Sequence, residues 1–148
     1  MVVMPAKKDL RALGRHLVEE FNKGKSAGLA VMEELYATDM VFHGADGKDI
    51  HGLRDYLQHN IEFYNAVPDA NFTIDDVIVE GDKGVWRLTL MGTLTGKLGD
   101  IQPTNKKAKI SVIIIDRIAK GKFVEEWESY DRLGAYQQLG IIPALGKG

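Results

Sequence analysis

Residues 109–131 constrain this chain more than any other segment. Two long apolar-rich runs flank Ala119, Lys120, Gly121 and Lys122, so the segment reads as two strands joined by a tight hairpin turn. A short amphipathic segment, residues 132–140, follows at once. Strict alternation along the second strand puts Phe123, Glu125, Trp127, Ser129 and Asp131 on one face, and Val124, Glu126, Glu128 and Tyr130 on the other. Asp131 would then share a side with the two largest apolar residues of the strand. Burial there would raise its pKa and suit it to proton transfer on an organic substrate. The same aspartate is also well placed to cap a helix opening at Arg132, and a single β-bulge would turn it outward.

The first strand of this pair is apolar on both faces, with Ile110, Val112 and Ile114 on one and Ile113 and Ile115 on the other. A strand dry on both sides must be covered twice. Helices upstream can cover one face. Residues 9–23 carry Leu10, Leu13, Leu17, Val18 and Phe21 at helical spacing. A shorter helix follows, with Ser26 as its N-cap and Leu29, Met32, Leu35 and Tyr36 on one side. Residues 40–43 read as a short strand and 44–49 as a turn-rich loop. A third helix spans residues 52–67, with a stripe of Leu53, Tyr56, Leu57, Ile61, Tyr64 and Val67, stopped at Pro68. Further strands are expected over 72–80 and 84–94, then a polar loop over 95–105. Helices first and a meander of strands last make an α+β pattern. The second apolar face is left for a closed cavity or a second copy of the chain.

At 148 residues the chain is expected to form one domain. Its 19 basic and 21 acidic residues give a net charge of −2, mixed along the sequence, so no basic footprint points to nucleic acid or to a membrane surface. No apolar run reaches the length of a membrane span, and residues 1–8 lack the order of a signal peptide. The absence of cysteine excludes disulfides and thiolate chemistry. A cytoplasmic location is the default expectation. The sequon at Asn71, Phe72 and Thr73 is read as chance. Lys25 and Ser26 after Gly24 resemble the end of a phosphate loop, but a helix precedes them and Glu19 stands where the leading glycine belongs.

Several motifs together resemble the SnoaL-like polyketide cyclase family. They are His51–Gly52–Leu53 before the third helix and Val67–Pro68–Asp69 after it; Gly92 to Gly96 with Pro103 and Thr104; Asp116–Arg117–Ile118; and Gly121–Lys122–Phe123–Val124–Glu125–Glu126–Trp127 with Asp131 and Gln138–Leu139–Gly140. The resemblance implies the cone-shaped fold shared with nuclear transport factor two, ketosteroid isomerase, scytalone dehydratase and limonene epoxide hydrolase: a curved antiparallel sheet and three N-terminal helices around a pocket, usually in a homodimer. It implies that Asp131 takes the place of an acid/base aspartate. Two departures stand out. Leu94 occupies a position where the group often has histidine, and Arg87–Leu88–Thr89 replaces the Arg-x-Asp pair of the hydrolases.

The expected activity is therefore cofactor-free acid/base chemistry, in its concrete form an intramolecular aldol cyclisation of a hydrophobic, carbonyl-rich small molecule. The alternatives are a hydratase, isomerase or epoxide hydrolase on the same scaffold, or a non-catalytic small-molecule-binding dimer. Asp131 is the expected catalytic base. Arg87, on the mixed face of its strand, is a candidate to bind a substrate carbonyl or carboxylate, or else forms an ordinary salt bridge. His43 is a pocket donor or a structural histidine at a strand end. Trp127, Tyr56 and His59 are candidates to line the cavity; Tyr36 and Tyr64 offer hydroxyls, or are simply core. No two histidines have metal-ligand spacing, and no metal site is expected.

Overall fold

A computed structural model of the chain describes residues 9–143. The N-terminal residues 1–8, read above for a signal peptide, lie outside them. Within the described residues the elements run α1 (Leu10–Asn22), α2 (Lys25–Leu35), β1 (Tyr36–His43), β2 (Asp49–His51), α3 (Leu53–Ala66), β3 (Asn71–Glu80), β4 (Lys83–Thr93), β5 (Lys107–Ala119), β6 (Lys122–Tyr130) and α4 (Arg132–Gln138). The six strands form one sheet in the order β2-β1-β6-β5-β4-β3. All neighbours are antiparallel except β1 and β6, which run parallel.

Most of the expected elements are present, with informative exceptions. The second helix begins one residue earlier than Ser26, after Gly24, whose φ of 122° places it in a region L side chains rarely adopt. Tyr36, expected on one side of that helix, instead opens β1 in extended geometry (ψ 142°). Residues 49–51, which begin at the end of the expected loop, pair with β1 as a short edge strand. The segment after Asp131 closes into a fourth helix. The β5–β6 turn is a two-residue hairpin with Lys120 at φ 51° and Gly121 at φ 75°, the left-handed pair that matches strand twist.

One face of the curved sheet packs on α1, α2 and α3. Leu10, Leu13, Val31, Met32, Leu35, Met40, Phe42, Trp86, Leu88, Val112 and Phe123 form the shared core. Gly14 of α1 lies flat against Trp86: a Cβ there would stand 2.0 Å from the indole ring, so only glycine lets the helix seat this closely. At the wide end, Asp69 ties the α3–β3 connection to β4. It accepts from the Thr93 amide and hydroxyl, both at 2.7 Å, and those bonds hold its carboxyl below the usual range. No helix of the described residues is long and apolar enough to cross a membrane.

Candidate active site

The decisive local event is a bulge in β6. Arg117 pairs with Glu125, but the next rung joins Ile118 to Phe123, so Val124 is extra. Side-chain parity flips at that point. Phe123 faces the core with no exposure, and beyond the bulge it is Glu126, Glu128 and Tyr130 that face inward. Glu125, Trp127 and Ser129 turn to the outer face. One row across that face runs Ile78, Val85, Ile115, Trp127, His43.

The inward residues enter a cavity of about 580 Å³ between the sheet and the helices, with Phe21, Phe42, Phe72, Trp86 and Tyr136 among its walls. This volume suits a polycyclic or similarly sized molecule. At its inner end Glu126, 4% exposed, stands directly across the strand pair from Asp116, 2% exposed. Tyr36 donates its hydroxyl to Glu126 Oε1 at 2.6 Å, and Tyr56 donates to Oε2. Burial first, and the Glu126 charge second, push both phenols well above their ordinary pKa. The same two causes, burial and then Glu126, push Asp116 well above the carboxylate range. Two buried carboxyls this close cannot both ionise, so Asp116 is the one that keeps its proton at neutral pH. Trp86 Nε1 lies near enough to ease that shift slightly but lacks hydrogen-bond geometry, leaving it and Asp116 Oδ1 without partners.

Glu128 lies two residues along β6 on the same face and is less buried than Glu126. Burial first, then repulsion from Glu126, lifts its pKa to about 7. A carboxyl poised there is half ionised at neutral pH, the condition under which a general base or acid is most effective. Tyr130 and Arg132 continue the wall beyond it.

The residues expected from the sequence divide between the two faces. Tyr56 and His59 are on the cavity wall. Asp131 is not: it is exposed, and its Oδ1 accepts from the Gly134 amide at 2.9 Å as the N-cap of α4. The bulge at Val124 is the reason. Trp127 likewise lies outside, stacked on His43 at 5.2 Å. His43 is held at both ring nitrogens, by Asp49 and Glu125 at 2.8 Å each. The Glu125 bond is the main reason its pKa is raised. Arg87 is on the outer face with half its side chain exposed, 4.0 Å from Asp75, which also accepts from Thr89 Oγ1 at 2.6 Å. It is therefore turned away from a ligand in the cavity, and the salt bridge is the alternative the structure places it in.

Asp116, Glu126 and Glu128 were not singled out by the sequence reading, which turned all charges of β6 by simple alternation. One signal was present: Asp116 is a lone acid within the apolar run of residues 112–118. Asp116 shares strand parity with Ile110, Val112 and Ile114, so alternation places it on their face.

Helices packed over one face of a curved sheet make the fold of ketosteroid isomerase-like and nuclear transport factor two-like proteins. Within that class, the SnoaL-like polyketide cyclase family model matches residues 12–139, and the chain belongs to that family. Among solved structures it is similar to the protein of Jannaschia sp. CCS1 assigned as a SnoaL-like polyketide cyclase, with a TM-score of 0.84 and 17% identity over 97% of this chain and 99% of that one. It is similar to AclR of Streptomyces galilaeus, assigned as a hydroxylase, with a TM-score of 0.81 and 21% identity over 96% and 87%. It is also similar to IdmH of Streptomyces antibioticus, assigned as a polyketide cyclase, with a TM-score of 0.76 and 24% identity over 89% and 99%. No curated protein sequence gives a significant match.

Proposed function

We propose that this protein is a cofactor-independent acid/base enzyme that closes a ring in a hydrophobic, carbonyl-rich molecule by an intramolecular aldol reaction. The observation that carries this reading is Glu128, a carboxyl lifted to about 7 on the wall of an aromatic cavity, beside a buried acid pair that retains a proton. Glu128 takes a proton from the carbon between two carbonyls, and conjugation spreads the resulting enolate charge. The enolate carbon attacks a second carbonyl of the same molecule, forming the C–C bond. The new alkoxide takes a proton from Asp116, whose conjugate base is then recharged by the proton held on Glu128. Atoms and charge balance without an oxidant or reductant.

The walls contribute by orientation. An apolar, aromatic cavity holds a folded chain with its ends together and excludes bulk water, which converts much of the entropic barrier into binding. A positioned base adds about 10²–10⁴-fold. The test is a chromatographic screen of linear aromatic β-diketones against wild type and Glu128→Gln. Cyclised product with wild type and a loss of that size in the variant is expected. Equal rates in both proteins remove Glu128 from the mechanism, and no turnover by wild type favours a binding protein.

A further inference from the structure

Arg132 stands out among the charges of the cavity. Arg132 is a partly buried residue of the wall whose guanidinium stands toward solvent, next to Tyr130 and Tyr136. It lies over the Tyr136 ring at 5.5 Å, and Nη2 contacts the Tyr136 hydroxyl at 3.3 Å. Among the described residues no carboxylate is within salt-bridge distance of it. Its charge reaches Glu128 only weakly, as the least of the influences on that group. A guanidinium has five donors in a planar fork, and its contacts with the Tyr136 and Tyr130 hydroxyls leave others unused.

We propose that the substrate carries a carboxylate and that Arg132 is the residue that recognises it, holding the molecule with its acidic carbon toward Glu128. The fork of Arg132 matches a carboxylate with two parallel hydrogen bonds, and the Tyr136 ring behind it fixes the plane. This rests on the reading of Glu128 as the base and adds the substrate class to it.

The acidic residues of the wall argue at first for a cationic ligand instead. Each already has its own donor or proton, Glu128 through a backbone hydrogen bond at Ala45. Glu126 is bonded by two tyrosines, Asp116 retains its proton, Asp49 is bonded to His43, Asp46 accepts from the Lys48 amide at 2.9 Å, and Glu62 accepts from Gln58 at 3.4 Å. Arg132 is a cation of the wall that keeps donors for an anionic ligand.

Equilibrium dialysis with three probes tests this: anthracene-2-carboxylate, its methyl ester, and 2-(aminomethyl)anthracene. Wild type should bind the carboxylate about tenfold or more tighter than the ester. Arg132→Gln should abolish that preference while leaving ester affinity within about twofold. Glu128→Gln should keep the preference, so failure of the catalytic reading and failure of this one are separable. Equal affinity of wild type for acid and ester overturns the proposal, whether or not the variant folds. So does tightest binding of the amine, absence of binding by all three probes, or equal weakening of acid and ester in Arg132→Gln.

Discussion

Asp116 and Glu126 are direct cross-strand partners, and both point to the floor of the cavity. Like charges opposite each other in a sheet are ordinarily destabilising. Here two tyrosine hydroxyls satisfy Glu126 and a retained proton neutralises Asp116. The arrangement is stable only as a unit. Glu126→Ala should therefore cost more than a surface truncation, because Tyr36 and Tyr56 would each be left with an unsatisfied buried hydroxyl at about 1–3 kcal/mol. Asp116→Asn, a neutral near-isostere, should be tolerated. Urea denaturation of both variants at pH 7 checks the contrast; an Asp116→Asn loss as large as that of Glu126→Ala would refute it.

Glu128 links stability to function with a definite sign. Its folded pKa of about 7 lies above the ordinary glutamate value. Its contribution is thus fully present below about pH 4.5 and is lost as pH rises through 7. The shift corresponds to a penalty on the order of 3 kcal/mol at pH 8. Glu128→Gln does not titrate, so it should raise the denaturation midpoint at pH 8 while abolishing turnover. At pH 4 the two proteins should be nearly equal. A variant less stable than wild type at pH 8 contradicts this placement of the carboxyl.

The fold was legible because its information is local and periodic. The stripes of α1 and α3, the β5–β6 hairpin and the doubly apolar β5 each follow from spacing alone. The site was not legible because it depends on the one extra residue at Val124. Nothing in residues 122–131 marks a bulge, and without it the large apolar side chains define the inner face, which places Trp127 and Asp131 inside and Glu126 and Glu128 outside. Charged residues are rarely buried, so alternation and base expectation agreed on the wrong face. Tyr56 and His59 escaped the error because they sit on a helix, whose register the bulge does not touch.

Asp131 tests that correction directly. As the cap of α4, its replacement by alanine should cost about 0.5–2 kcal/mol, and replacement by asparagine much less. Neither change should reduce turnover, because the carboxylate bonds Gly134 and stands outside the cavity. A loss of about 10²-fold or more in Asp131→Asn, with the fold intact by circular dichroism, would return this residue to the mechanism.

The His43 latch has a pH window set by two opposite shifts. His43 is raised and Glu125 lowered, each chiefly by their mutual hydrogen bond. Glu125 contributes above the ordinary glutamate pKa and fails as pH falls through its lowered value. His43 contributes below the ordinary histidine pKa and fails as pH rises through its raised value. The stabilisation by this pair should therefore peak between about pH 4.5 and 6.5. The stability difference between wild type and His43→Gln, measured by urea denaturation from pH 4 to 9, should shrink toward the alkaline end. A difference independent of pH would mean that stacking on Trp127, not charge, is what His43 supplies.

The outer face of the sheet supports a prediction about assembly. Ile78, Met91 and Ile113 are 60%, 51% and 43% exposed there; strand pairing puts Ile78 in one row with Val85, Ile115 and Trp127, and Ile113 lies two residues along β5 from Ile115 on the same face. Apolar area of this kind gains about 25 cal/mol per Å² when removed from water, and a contiguous patch left bare invites aggregation. We expect a second copy of the chain to cover it, as a homodimer formed sheet to sheet. Ile113 lies on a central strand of the outer face and makes no contribution to the cavity, so Ile113→Lys should dissociate the dimer without emptying the ligand site. Light scattering should give twice the chain mass for wild type and the single chain mass for the variant. Wild type that remains monomeric at micromolar concentration would rule out this assembly.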